Sequence, residues 1–171
     1  MTSASSKVQP GLRMHAERTP NPNSLKWVLG ESIAAAGTAA SFESSPSREV
    51  SPLASALFSV DGVTEVFVAA SFLTVSKAEA VEWIDIAQSV TEAISAHLAS
   101  GEPALGPRYE SPKTPSGDEQ GDELVARISR VIDEQIRPAV ARDGGDIVFV
   151  SYRDGIVKLQ MKGACSGCPS A

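Results

Sequence analysis

The run from Asp143 to Cys168, DGGDIVFVSYRDGIVKLQMKGACSGC, decides how this chain is read. It opens on Asp143-Gly144-Gly145-Asp146, a tight turn by composition. Ile147–Tyr152 and Ile156–Lys162 follow as strands joined through Arg153-Asp154-Gly155, and Asp-Gly between alternating apolar runs is a strong hairpin signal. In the second strand Val157, Leu159 and Met161 share one face, while Lys158, Gln160 and Lys162 share the other. Directly past it come Gly163-Ala164-Cys165-Ser166-Gly167-Cys168-Pro169-Ser170-Ala171, which hold both cysteines of the 171-residue chain. The hairpin delivers a Cys-x-x-Cys pair to its own end.

Thiolates are soft ligands that favour zinc, copper(I) and iron–sulfur clusters. Glycines around them let the backbone fold tightly about a metal. A tetrahedral zinc or a [4Fe–4S] cluster takes four such donors, and one chain brings two. Nothing else in the sequence obviously supplies the rest, so the missing donors come from another molecule. The plainest is a second copy about a two-fold axis. Cys165 and Cys168 are therefore the expected metal- and cofactor-binding residues.

Three rivals contend for this pair. Simple burial or a disulfide fits poorly with a glycine-rich terminal loop. A thioredoxin-like redox pair normally opens a helix within a larger βαβ unit, and here too little chain follows to build one. A shared zinc held by four thiolates stays chemically open. No acid–base or nucleophilic set accompanies the cysteines, so neither catalytic residues nor enzyme activity are expected. Asp143 and Asp146 read as residues that cap the helix end and shape the turn, not as paired catalytic carboxylates. His15 and His97 read as surface residues, and Lys158 and Lys162 as an exposed strand face.

Upstream of the turn, Asp122 to Arg137 reads as a helix with Leu124, Ile128, Val131, Ile132 and Gln135 or Ile136 as its buried stripe. Pro138 implies a kink or a new turn. Residues 99–121, punctuated by glycine and proline, read as a flexible, partly extended linker. Residues 14–98 form a small α+β unit of order β–α–β–β–α. A strand at Ser24–Leu29 is followed by a helix from Pro52 to Phe58, with Ser51 as N-cap. A hairpin over Val63–Ala69 and Ser71–Ser76 comes next, then a helix over Ala80–Leu98 with Ile84, Ala87, Val90, Ile94 and Leu98 at helical spacing. A short strand at Ala39–Phe42 is the weakest feature, and Trp27 and Trp83 read as core.

The whole is an α+β chain of two small domains joined by the linker. Residues 1–13 read as a disordered extension rather than a targeting signal, and the location as cytoplasmic. A net charge of −6 argues against a non-specific nucleic-acid partner. No apolar run approaches the roughly 18 residues of a membrane span.

Ile136-Arg137-Pro138, the Asp143–Asp146 turn, the hairpin and Gly163–Ser170 together resemble the C-terminal NifU-type domain of iron–sulfur scaffold and carrier proteins. Glu17-Arg18-Thr19-Pro20-Asn21-Pro22-Asn23-Ser24-Leu25-Lys26-Trp27 resembles the opening of the Nfu N-terminal domain. Bacterial and mitochondrial Nfu proteins carry these two domains in this order, so the resemblance spans about residues 14–98 and 122–171. It implies a [4Fe–4S] cluster held between two subunits by Cys165 and Cys168 of each, with [2Fe–2S] left open. It further implies a homodimer that receives clusters from upstream donors and delivers them to apo iron–sulfur proteins. The N-terminal domain would help select partners. The alternatives are a dimer bridged by a four-thiolate zinc or a cluster-free partner-binding module. Family members continue past the second cysteine into a helix on the hairpin, whereas this sequence stops at Ala171; the expectation is a truncated domain whose residues 163–171 are mobile without metal.

Overall fold

The computed structural model describes residues 13–111 and 122–166. The extension read over residues 1–13 lies outside them except for Arg13, as do linker residues 112–121 and Cys168.

The N-terminal unit is a five-stranded antiparallel sheet, ordered β1-β2-β5-β4-β3, with helices on one face. Its strands are β1 (Met14–Arg18), β2 (Ser24–Leu29), β3 (Ala39–Phe42), β4 (Val63–Ala69) and β5 (Phe72–Lys77). Strand β1 is absent from the sequence reading. It is a mostly exposed edge strand, held by its ladder to β2 rather than by an apolar face, so it carries little pattern to detect. The prolines between β1 and β2 sit in a turn locked by side chains. The Thr19 hydroxyl donates to the carbonyls of Asn21 and Ser24, and Asn21 Oδ1 accepts from the Asn23 N–H.

Helix α1 (Pro52–Leu57) starts as expected, with the Ser51 side chain accepting from the Ala54 N–H and proline in the first turn. Helix α2 runs over Trp83–Ser100 and ends on Gly101 in the left-handed region. Its buried residues are Ile86, Val90, Ile94 and His97, so the apolar stripe is phased differently from the one expected; Ile84 is 90% exposed. Leu25, Trp27 and Leu29 share the helix-facing side and pack with Leu53, Leu57, Val66, Val68, Leu73 and Val75. Trp83 lies edge-on to Trp27 at the border of this core.

The first half of the segment read as linker packs back on this unit. The Ser51 hydroxyl donates to the Ala104 carbonyl, and the Gly106 and Arg108 N–H groups donate to Val50 and Glu49. Ala104 is fully buried and Tyr109 stands edge-on to Phe42. A Cβ on Gly106 would lie 2.2 Å from the Glu49 carbonyl oxygen, which explains a glycine there without any need for flexibility.

The C-terminal unit begins with α3 (Asp122–Val131), widens into a π-helical turn over Ile132–Ile136 and continues as α4 (Arg137–Arg142). Pro138 accounts for the irregularity. It lacks the N–H an α-helix needs, and its ring crowds the carbonyl of the preceding turn. The π turn adds a residue, and the Arg137 N–H bonds back to the Ile132 carbonyl. Strands β6 (Gly145–Arg153) and β7 (Ile156–Gly163) form the expected hairpin, with Asp154 and Gly155 both at positive φ in its turn.

The core here is small: Ile132, Ile147 and Phe149, flanked by Val125, Ile128, Ile136, Val140 and Tyr152. One expectation fails: Leu124 and Val131 of the supposed buried stripe are exposed. Val157, Leu159 and Met161 on β7 are exposed as well. Leu124, Ile128, Val131, Ile136, Val157 and Leu159 line an open apolar groove of about 430 Å³.

The second face of the five-stranded sheet also meets protein. Lys26, Phe67 and Thr74 alternate with the core residues and so point away from the helices. All three are nonetheless buried, because the Gly144–Gly145 turn and the end of β7 lie against them. The polar side of the sheet is an internal boundary.

Candidate metal centre

The pairing of Gly145 with Gly163 sets the start of β6 beside the end of β7. Past that pair the Ala164 N–H donates to the Gly144 carbonyl at 3.2 Å, and the Ser166 N–H donates to Gly163 at 2.9 Å. Between these bonds Cys165 sits on a turn and is half-buried. The glycines are what make room for it. A Cβ built on Gly145 would stand 2.7 Å from Cys165 Sγ and 2.6 Å from the Lys162 carbonyl oxygen. Gly163, at φ 68°, has the backbone of Gly144 and Gly145 on one side and the Phe67 ring on the other.

The Asp-Gly-Gly-Asp turn is thus part of the site's wall. Its aspartates are not a pair. Asp143 is exposed at the end of α4. Asp146 holds Arg137 through a 3.0 Å ion pair and accepts from the Ile147 N–H at 2.7 Å. Burial pushes its carboxyl above the usual carboxylate range, opposed by that N–H and by the guanidinium. This is the turn-shaping role the sequence suggested for Asp146.

Lys158 is exposed on β7 as expected, but Lys162 is not. Its Nζ donates to the Ala39 carbonyl at 3.1 Å, and burial lowers its pKa against the pull of Asp146. His97 is also misplaced by the sequence reading: it is 7% exposed, in the last turn of α2. Burial drives its pKa down, and among the described residues its Nε2 has no hydrogen-bond partner. His15 is exposed and bonded to Glu17.

Among the described residues no group of three or more His, Cys, Asp or Glu side chains is gathered as a metal site. Nor is any helix among them long and apolar enough to cross a membrane. Of the two cysteines expected to be donors, Cys165 is described and Cys168 lies outside the described residues.

Three residues of the N-terminal unit reach the cysteine loop, the turn facing it or the helix end before that turn, and the sequence reading assigned none of them to the site. Asn21 Nδ2 donates to the Ala164 carbonyl at 3.2 Å, beside Cys165. The Thr74 hydroxyl donates to the Gly144 carbonyl at 2.6 Å, and Lys26 Nζ donates to the Ala141 carbonyl at 2.9 Å. The available signal was weak: a threonine and a lysine on the non-core face of otherwise apolar strands.

The family model described as "Scaffold protein Nfu/NifU N terminal" matches residues 14–101, and that described as "NifU-like domain" matches residues 128–171. Among curated relatives, the "NFU1 iron-sulfur cluster scaffold homolog, mitochondrial" of Drosophila ananassae is 45% identical over 162 residues, covering 92% of this chain and 55% of its own. The protein of the same name from Drosophila persimilis is 43% identical over 158 residues, covering 92% and 56%. The chain therefore spans about half the length of the curated relatives it matches. A solved NifU-like protein from Saccharomyces cerevisiae superposes with a TM-score of 0.52 at 24% identity, covering 63% of this chain and 96% of that one. The expectation of a cytoplasmic location does not stand, because these relatives are named as mitochondrial proteins.

Proposed function

The chain belongs to the Nfu/NifU family of iron–sulfur cluster scaffold proteins, and on that premise we propose that it carries a [4Fe–4S] cluster between two copies and hands it to apo-proteins. The cluster is cargo. Cys165 and Cys168 of each copy supply the four thiolates, and no reaction is catalysed. The observation that carries the reading is the two-thiol supply at a half-buried loop, half of what the cluster needs. Ligands divided between two copies can be exchanged for incoming thiolates of a target as the copies part; four ligands buried in one chain would favour retention.

Residues 14–111 are taken as the Nfu-type domain that contacts partners, 112–121 as the connection and 122–171 as the NifU-type domain that binds cargo. The relatives' compartment makes the mitochondrion the place of work. Anaerobic reconstitution with iron and sulfide tests the proposal. About four irons and four sulfides per two chains, a dimeric elution volume and a Mössbauer spectrum of a [4Fe–4S] centre are expected, followed by transfer to an apo-acceptor. Cys165→Ser or Cys168→Ser abolishes cluster binding and leaves the N-terminal sheet folded. A monomeric loaded form without added thiol, or a colourless zinc-bridged dimer, overturns it.

A further inference from the structure

We propose that the non-helical face of the N-terminal sheet is a positioning surface for the cysteine loop, acting through Asn21 and Thr74. The loop is closed by one ring of contacts: the Ala164 N–H donates to the Gly144 carbonyl, which places Cys165 over Gly145. Both residues of that bond are gripped from across the chain. Thr74 donates to the Gly144 carbonyl and Asn21 to the Ala164 carbonyl. The grip is dry, since Thr74 is 1%, Asn21 7% and Ala164 2% exposed. In such surroundings a hydrogen bond holds geometry better than it does in water.

Steric fit points the same way. A Cβ on Gly144 would lie 3.0 Å from both the Thr19 methyl and the Thr74 hydroxyl, and one on Gly163 would lie 3.0 Å from the Phe67 ring. The double-proline turn has two jobs through one side chain. Asn21 Oδ1 closes the turn on the Asn23 N–H, which leaves Nδ2 aimed at the loop. Asn21 and Thr74 are positioning residues: they act on Cys165 through its neighbours and touch no cargo. The consequence for cluster handling rests on the proposed function; the positioning itself does not.

Two nearly isosteric substitutions in the full-length apo chain separate the grip from the fold. Asn21→Asp keeps the turn's acceptor and removes the donor, while Thr74→Val removes only the hydroxyl. Each is expected to speed exchange of the Ala164 amide about fivefold, the worth of one net hydrogen bond. Each should also raise the alkylation rate of Cys165, measured with Cys168→Ser as background. Exchange at Val75, in the middle of β5, stays unchanged, and Thr74→Ser restores the original rates. Unchanged Ala164 exchange and Cys165 alkylation in both variants, with Val75 still protected, overturns the proposal. Should a variant lose Val75 protection, the unsubstituted apo chain decides. Nuclear Overhauser contacts between the Phe67 ring and the Gly163 α-protons support the grip, and their absence overturns it. None of these readings needs a cluster, so they fail separately from the carrier function.

Discussion

His97 is a buried imidazole whose lowered pKa has a direct thermodynamic consequence. Desolvation favours its neutral form, with Glu102 the main opposing influence, so the folded chain binds the proton less readily than the unfolded chain does. Stability contributed by the neutral ring is present above the ordinary value of 6.5 and is lost as pH falls through the lowered folded value. Thermal midpoints should therefore drop as pH falls from 6.5 toward the lowered folded value and level off below it, and His97→Leu should flatten the drop; equal slopes in both proteins would count against it. At this scale the sequence was legible where chemistry is local. Ser51 as a cap, Asp154-Gly155 as a turn and Cys165 past a strand were all readable from neighbours a few residues away. His97 and Lys162 were not, because what buries each is decided by packing that no local pattern encodes.

At the scale of elements, the strand ends that shape the centre are set by clearance. Gly145→Ala would force a methyl group against the Lys162 carbonyl and Cys165 Sγ at distances no side chain tolerates. The backbone must then shift where β6 begins. A destabilisation of about 1–3 kcal/mol is expected, as for overpacked sites generally, read from a denaturant midpoint. Cys165 should change its alkylation rate in the same variant. The hairpin, both long helices and the β4–β5 pair were legible as period-2 and period-3.6 patterns. Strand β1 was not, because an exposed edge shows little alternation, and the break at Ile132–Ile136 appeared only as Pro138. The phase of α2 was ambiguous because alanine-rich stretches give two nearly equal apolar stripes, and the sheet selects between them.

For the whole molecule, the uneven distribution of apolar surface matters most. The N-terminal unit buries its core on the helix side and its polar side under the hairpin, whereas the C-terminal unit leaves Leu124, Val131, Val157 and Leu159 around an open groove. Contiguous exposed apolar surface is where nonspecific association starts. Leu159→Lys should lower binding of an apolar-surface dye and raise the solubility limit. Because Leu159 lines an open groove rather than the core, the urea midpoint should move by no more than about 0.5 kcal/mol equivalent. A larger loss of stability would mean the groove is closed in solution. The docking of one unit on the other was invisible in the sequence, since each unit satisfies its own periodicities and nothing in a pattern of apolar residues says which polar face meets which loop.

Among the described residues, the side-chain hydrogen bonds that cross between the units from Asn21, Lys26, Thr74 and Lys162 all end on main-chain oxygens, those of Ala164, Ala141, Gly144 and Ala39. Every amino acid carries that oxygen. Such a handshake reads the path of the opposing chain and not its spelling, so side chains on the receiving side are free to vary within the available room while the grip survives. Ala141 and Ala164 could be exchanged for other residues that fit the space and keep the trace, and the same hold would be inherited.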